Sequence, residues 1–400
     1  MASFARSGRS KEHVVEIAFL ICIAALVYTF AGYPMLIALW AWLRPRHVRR
    51  ASNQPRVVII VVAHNEETHI AAKLRTCLAQ DYAADRLRVI IAADGSVDQT
   101  NTIVRAHSDA RVQLLAFPER RGKAACLNDA VAACSEEVLV FTDARQALDP
   151  GSVRCLVESL ADPTIGAVSG ELIFVRDEMS PFAEGVDAYW RYEKFIRQRE
   201  ALVHSAPGVT GALYAIRRSC YKAIPDRTIL DDVAIPMQAV RAGYRVVFDS
   251  RAIAFDKPSQ TPAQEKLRKV RTLAGNYQLL FMMPWLLLPI ANPIFLQYFS
   301  HKLLRLLAPF AILAILVLNS FLIQVSIVYL ALMGAQVLFY TLVLAATKNA
   351  RLRTWRLVKL GSAFLLLNWY AVLGLARFLS DRDAHLWKQD PSKSGEQVSR

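Results

Sequence analysis

Long apolar runs divide this chain before any other feature does. Residues 17–43 contain no charged side chain, and that length crosses a hydrocarbon core of about 30 Å. Residues 306–325 and 328–347 read as two more such runs, joined by a short uncharged turn, and a fourth extends from about 360 to 376. Buried helices of a large soluble core would be shorter or would carry more charge. Arg6, Arg9 and Lys11 upstream of the first run fit a signal peptide. Its apolar core would be shorter, however, and no small-residue cleavage site follows, so an anchor is expected.

Charge placement orients the runs. Arg44, Arg46, Arg49 and Arg50 follow the first; Lys302 and Arg305 precede the second; Lys348, Arg351, Arg353, Arg356 and Lys359 fill the connection before the last. Residues 272–300 are also uncharged, but Pro284, Pro289 and Pro293 interrupt them. If that stretch lies in the interface or re-enters, all three basic clusters fall on one side, as the positive-inside tendency prefers. The expectation is an integral protein of the inner or plasma membrane with four spans and a cytoplasmic soluble domain. Its divisions are 1–50 (tail and first span), 51–262 (soluble domain), 263–301 (amphipathic, interfacial or re-entrant), 302–380 (three spans) and 381–400 (polar tail).

The net charge of +14 then belongs with anionic headgroups of a lipid bilayer. Nucleic acid is not an expected partner, because no binding module is present and no aromatics interleave with the basic runs. Six cysteines without CxxC spacing read as free thiols, with neither a disulfide frame nor a zinc site.

Between the apolar runs the pattern alternates. Residues 57–63 form a continuous, mostly β-branched run, as for a strand covered on both faces, and Ile70, Leu74, Cys77 and Leu78 follow at helical spacing. Strands are expected over 87–93, 112–115 and 138–142, with helices over 98–107, 123–134 and 150–160. This pace indicates a parallel, doubly wound α/β sheet, whose ligands sit beyond the carboxyl ends of the strands. Three acidic turns fall at that edge: His64-Asn65-Glu66-Glu67, Asp94-Gly95-Ser96-Val97-Asp98 and Asp143-Ala144-Arg145.

Each block has a plain structural reading. Asp94–Asp98 makes a good turn with an N-cap, although a carboxylate there can also accept from a nucleobase or ribose. Arg120-Arg121-Gly122-Lys123 is a basic turn before a helix, and cations at a helix N-terminus suit a diphosphate. Asp143 caps a strand, and could also hold a divalent cation on a pyrophosphate. Asp231-Asp232 opens a helix, where carboxylates complement the dipole; one of them could instead take a proton from an attacking hydroxyl.

In order and spacing these blocks, from about residue 55 to 281, resemble the family-2 glycosyltransferases. The resemblance implies a GT-A domain, Rossmann-like with a mostly parallel sheet, beside α-helical transmembrane segments. It implies that His64, Asn65, Glu66 and Asp94 meet the base and ribose of a nucleotide-sugar donor, UDP-linked in the first instance. Lys123 and Asn128 sit in a G-K-x-x-x-L-N-like stretch spanning 122–128, so Gly122, Lys123 and Asn128 join the donor side. Asp143 is similar to the first carboxylate of D-x-D and Asp232 to the acid of T-E-D that acts as base, with Asp231 beside it. Thr210 and Gly211 resemble the acceptor-side block.

Two departures follow. Arg145 replaces the second D-x-D carboxylate, which removes a ligand for Mg²⁺ or Mn²⁺ and adds a permanent cation that can meet a phosphate; Asp143 remains as the metal candidate. The Q-x-x-R-W of the cellulose, chitin and hyaluronan synthases is absent. Residues 265–272 instead read as a basic amphipathic helix, in which Arg268 and Arg271 are candidates to reach the leaving diphosphate. An inverting transfer to a polysaccharide or lipid acceptor is the expectation. The alternatives are a non-catalytic partner subunit or a nucleotide-sensing membrane transporter.

Overall fold

In the computed structural model the described residues are 2–175, 181–258, 261–381 and 383–386. Most of the polar tail expected over 381–400 lies outside them. Strands β1 (Val57–Ala63), β2 (Leu87–Asp94), β3 (Val112–Phe117), β4 (Val138–Asp143), β5 (Ala147–Leu148), β6 (Ile165–Phe174), β7 (Tyr214–Arg217) and β8 (Arg245–Asp256) form one sheet in the order β3-β2-β1-β4-β7-β6-β8-β5. The half built from β3, β2, β1 and β4 is parallel throughout. Beyond β4 the sheet becomes mixed, within the mostly parallel sheet expected. β7 runs antiparallel to both β4 and β6, and β5 is antiparallel to β8. An apolar run reports burial on both faces but not strand direction, so the reversal at β7 leaves no mark in composition.

One apolar cluster covers each face of the sheet. Val58, Ile60, Ile90, Leu139 and Phe141 pack on the helices Lys123–Ala132 and Asp231–Arg241. Ile59, Val61, Val89, Ile91 and Val140 pack on Ile70–Leu78 and Ser152–Leu160. Alternation along a strand sends successive side chains to opposite faces, so β1 alone feeds both clusters. All six cysteines are free thiols, and all but Cys22 are buried.

Among the described residues, four helices are long and apolar enough to cross a membrane: Lys11–Leu43, Phe295–Leu322, Ile327–Lys348 and Arg356–Ser380. The second starts eleven residues before the run beginning at Leu306 that the sequence suggests. Lys302 and Arg305 break the apolar pattern there. The carboxylate of Glu193, in the helix Pro181–Val203, pairs with both His301 and Arg305 of this apolar helix. The segment 263–301 contributes nearly all of the helix Pro262–Met282, then a short 3₁₀ turn at Pro284–Leu287, and from Phe295 the start of the second apolar helix.

Pro262–Met282 packs between the soluble core and the last apolar helix. Val270, Ala274 and Tyr277 are buried, whereas Leu267 and Phe281, placed by periodicity on the same face, are exposed. The approach is closest at Gly374, where an added Cβ would stand 2.7 Å from Leu273 Cβ and 3.1 Å from the Ala274 backbone nitrogen. At Gly334 an added Cβ meets nothing within 4 Å. Gly374→Ala is therefore expected to cost about 1–3 kcal/mol through overpacking, read as a lower thermal midpoint of the purified protein in detergent. Gly334→Ala should leave the midpoint in place, and equal midpoints for the two variants would rule out close packing at Gly374.

Candidate active site

The parallel strands end level with one another, which sets the site. Register places Val62 of β1 opposite Asp143 of β4, and Ala63 opposite Ala93 of β2. The turns after β1, β2 and β4 therefore emerge at one edge, as expected of an open α/β sheet.

Hydrogen bonds lace the first two turns together. His64 Nδ1 lies 2.6 Å from the Asp94 carbonyl oxygen. Asn65, in the left-handed region at φ 53°, donates its N–H to Ser96 Oγ at 3.1 Å and accepts the Val97 N–H on Oδ1 at 2.9 Å. The Glu66 N–H donates to Thr100 Oγ1 at 2.8 Å. The Glu66 carboxylate lies 2.9 Å from His69 Nδ1 and 3.7 Å from Arg145 Nε, so the first turn also meets the third. Asn65 thus shapes the turn with both backbone and side chain.

Asp94 is buried, and its two carboxylate oxygens accept the backbone N–H groups of Arg121 at 2.6 Å and Gly122 at 2.9 Å. Gly95, at φ 61°, lets the basic turn come this close: an added Cβ would stand 2.6 Å from the Arg120 nitrogen. Asp94 thereby positions Gly122, and through it the first residue of the next helix, Lys123.

Lys123 is where the blocks converge. Its Nζ donates to Asp143 Oδ1 at 2.8 Å and stands 3.0 Å from Asp231 Oδ2. Burial alone would lower the ammonium pKa, but the charges of Asp143, Asp231 and Asp232 reverse the effect and raise it far above the ordinary lysine range. Burial likewise acts to raise the Asp143 carboxyl, and Lys123, with Lys73 and Arg145 behind it, outweighs that and holds it low. Asp232 is the exception among the carboxylates. Burial, then the neighbouring charge of Asp231, pushes it up to about 6, against the pull of Lys123, Lys302 and Arg197. Gly211 lies directly against it, since a Cβ there would be 3.5 Å from Asp232 Oδ2. Thr210 is fixed in the same loop by a 3.1 Å bond from its N–H to Ser169 Oγ.

The two arginine candidates separate. Arg271 is half-buried and donates to the Ile229 carbonyl at 3.3 Å. Burial lowers its pKa, and the charges of Asp231, Asp232 and Asp143 oppose that drop. Arg268 is exposed. Asn128 departs from the donor-side expectation. Its Nδ2 donates to the Ile224 carbonyl and Asp226 at 2.8 and 3.2 Å, and its Oδ1 accepts from Tyr221 Oη and the Ile224 N–H at 2.8 and 3.0 Å. Both donors and both lone pairs are spent, so Asn128 clamps the loop 221–226.

Lys73 was not singled out from the sequence. It is fully buried, with Nζ donating to Thr142 Oγ1 at 2.6 Å and to the Gln146 carbonyl at 2.8 Å, and so braces the turn that carries Asp143 and Arg145. A charged residue on the apolar helical face of Ile70, Leu74 and Cys77 was the available signal.

Asp143 is a single metal-capable oxygen donor already paired with an ammonium. Among the described residues no group of three metal-ligating side chains forms. A divalent cation at Asp143 would thus take most of its ligands from a bound diphosphate.

Removing the anchor of the basic turn is testable by itself. Asp94→Ala leaves two buried backbone donors without acceptors, at about 1–3 kcal/mol each. Amide hydrogen exchange at Arg121 and Gly122 should accelerate well before the β1 and β2 amides respond; unchanged exchange there would dissociate Asp94 from the turn.

The glycosyltransferase like family 2 matches residues 55–275. The chain is 24% identical over 245 residues to a probable glycosyltransferase, YdaM, of Bacillus subtilis (strain 168), and the match covers 58% of each protein, so the chain spans little more than half of that relative's length. Among solved structures, the mannosyltransferase PcManGT from Pyrobaculum calidifontis, in complex with GDP-Man and Mn²⁺, superposes with a TM-score of 0.68 at 23% identity, covering 91% of this chain and 99% of that one. At that identity the likeness is one of fold.

Proposed function

The chain belongs to the glycosyltransferase like family 2, and on that premise we propose a membrane-bound, inverting transferase that moves a sugar from a nucleoside diphosphate to a polysaccharide or lipid acceptor. The observation that carries it is the junction of Lys123 with Asp143 and Asp231, 2.8 and 3.0 Å away, beside an Asp232 of raised pKa. The four apolar helices support an integral protein, with the basic clusters and the soluble domain on the cytoplasmic side. A UDP-linked sugar is the first donor to try. GDP-mannose, bound by the Pyrobaculum neighbour, is the second.

In this reading His64, Asn65, Glu66 and Asp94 frame the base and ribose end of the donor. Lys123, Arg145 and Arg271 meet the diphosphate. The acceptor oxygen attacks the anomeric carbon from the side of Thr210 and Gly211 and gives its proton to Asp232. The bond to the diphosphate breaks as the new one forms, and the three cations stabilise the charge that develops on the leaving group. Asp231, engaged by Lys123, positions that lysine rather than reacting itself. A divalent cation at Asp143 would supply further charge neutralisation on the diphosphate. The alternatives of a non-catalytic subunit or a sensing transporter have no comparable use for a half-buried carboxylate of raised pKa next to an ammonium–carboxylate pair.

Asp232→Asn should bind nucleotide as the wild type does and lose turnover by two orders of magnitude or more, about the size of a general-base contribution. Normal turnover would remove Asp232 from the role. The base must be ionised, so kcat/KM should fall as pH drops through about 6, and that acid limb should vanish from any residual activity of the variant. Because folding raises this pKa, the carboxyl favours the folded state below about pH 4 and counts against it as pH rises through about 6. Asp232→Asn should accordingly be no less stable than the wild type at pH 7, which thermal unfolding reads directly.

For the metal, transfer should drop in EDTA and return with Mn²⁺. Full transfer in EDTA would leave the diphosphate to Lys123, Arg145 and Arg271 alone.

A further inference from the structure

A cavity of about 620 Å³ shares no residue with the transfer site. It opens where three elements meet. Trp40, with Arg44 and Arg46 just beyond, comes from the end of the apolar helix Lys11–Leu43. His204 follows the helix Pro181–Val203, and Leu296 and Gln297 start the apolar helix Phe295–Leu322. No acidic side chain is among the described residues that line it.

The wall carries polar groups that the chain itself does not satisfy. The backbones of the two arginines are fixed. The Arg44 N–H donates to the Trp40 carbonyl at 2.9 Å and the Arg46 N–H to the Leu202 carbonyl at 2.7 Å, while the Arg46 carbonyl accepts from Arg245 at 2.8 Å. Both residues are exposed, and their guanidinium groups make no hydrogen bond or ion pair with a described residue. Gln297 is 3% exposed, and its amide, which keeps part of that small surface, makes no hydrogen bond with a described residue either. Asn292, in the same wall, is spent by contrast: Nδ2 donates to the Leu286 carbonyl at 2.8 Å and Oδ1 accepts the Ile294 N–H at 3.0 Å. Buried polar side chains are as a rule paired, so an unpaired amide beside two unpaired cations points to an anion rich in acceptor oxygens.

The neighbouring surface says where that anion comes from. Trp42 and Leu43, just before Arg44, are exposed, as are Leu288 and Ile290 on either side of the lining Pro289. Large apolar side chains flanking a basic cavity suit a bilayer rather than water, and tryptophan and arginine at the end of a span lie at headgroup depth. A free phosphate would leave Trp40 and Leu296 uncovered. His204 adds no charge, because burial, then the charges of Arg46 and Arg245, hold its pKa down at about 4. The positive charge of the cavity at pH 7 is that of the two arginines.

We propose that this cavity binds one anionic phospholipid, with its phosphodiester on Arg44, Arg46 and the Gln297 amide and an acyl chain along Trp40 and Leu296. The site rests on the membrane placement in the reading above and not on its chemistry: the lipid is neither donor nor acceptor, and no bond in it changes. Because two apolar helices and the end of Pro181–Val203 form the wall, the bound lipid braces the soluble domain against the spans.

The full chain, purified in maltoside detergent, is titrated with dioleoylphosphatidylglycerol or dioleoylphosphatidylcholine, and retained lipid is counted by native mass spectrometry. One phosphatidylglycerol should be retained at about tenfold lower concentration than phosphatidylcholine requires, and its binding should raise the thermal midpoint. Arg44→Gln/Arg46→Gln should raise the concentration needed about tenfold, and Gln297→Leu should raise it as well. Arg44→Lys/Arg46→Lys should keep the preference for phosphatidylglycerol. Arg351→Gln/Arg353→Gln removes two exposed charges from the connection between the last two spans and should change nothing. The lipid-free thermal midpoint is the folding control, and if the Arg44→Gln/Arg46→Gln pair fails it, the two single variants carry the same comparison.

Equal retention of the two lipids would overturn the site. So would a smooth series of bound lipids with no first step, or an equal loss in Arg351→Gln/Arg353→Gln, since either is bulk attraction to headgroups. Displacement of the lipid by glycerol 3-phosphate, which has the headgroup chemistry without the chains, would overturn it too. A chain that stays monodisperse without detergent would sink the membrane placement and the site with it. One that binds neither UDP nor GDP would sink the transferase alone, and its retention of one phosphatidylglycerol would still support the site.

Discussion

One ammonium holds the candidate site together. Lys123 Nζ bridges Asp143, at the end of a parallel strand, and Asp231, at the start of a helix some ninety residues later in the chain. The bridge closes the gap between the parallel half of the sheet and the segment that follows β7. Without it, Asp143 and Asp231 would lose the one ammonium within 3.0 Å of both. Much of the surrounding architecture places this lysine. Asp94 fixes Gly122 just before it, Gly95 allows the basic turn to approach, and Lys73 braces the turn bearing Asp143. In the proposed function this cation would meet the donor's diphosphate.

A second polar joint ties the soluble domain to the apolar helices. Glu193 and Glu200, on the helix Pro181–Val203, reach His301 and Arg305 on one apolar helix and Tyr33 on another. Both imidazole nitrogens of His301 face carboxylates at 2.9 Å. Buried polar networks of this kind fix one arrangement of the parts they connect. Here the network joins the helix Pro181–Val203 to the apolar helices that carry Tyr33 and His301.

Much of the fold can be read in the sequence where local and global preferences agree. β1 occupies the very span, 57–63, that its β-branched run marks, because a strand covered on both faces must be apolar throughout. The edge on which the acidic turns gather was equally legible, since it follows from strand–helix alternation alone. What escaped was set by distant partners. The direction of β7 has no compositional signature. The apolar helix beginning at Phe295 looks too short from sequence because Lys302 and Arg305 interrupt its apolar run, and the partner of Arg305, Glu193, lies more than a hundred residues away. Asn128 sits in a donor-like stretch, yet its amide is saturated by a loop near residue 224. Arg268 and Arg271 look alike as sequence, and only helix phase against the soluble domain half-buries Arg271 on the Ile229 carbonyl and leaves Arg268 exposed.

The direct measurement is a density map of the full chain with UDP or GDP bound. The account predicts the diphosphate within hydrogen-bonding distance of Lys123 and Arg145, the base and ribose near His64 and Asp94, and the Asp232 carboxylate clear of the nucleotide. A nucleotide seated away from Lys123, or one whose diphosphate covers Asp232, would contradict it.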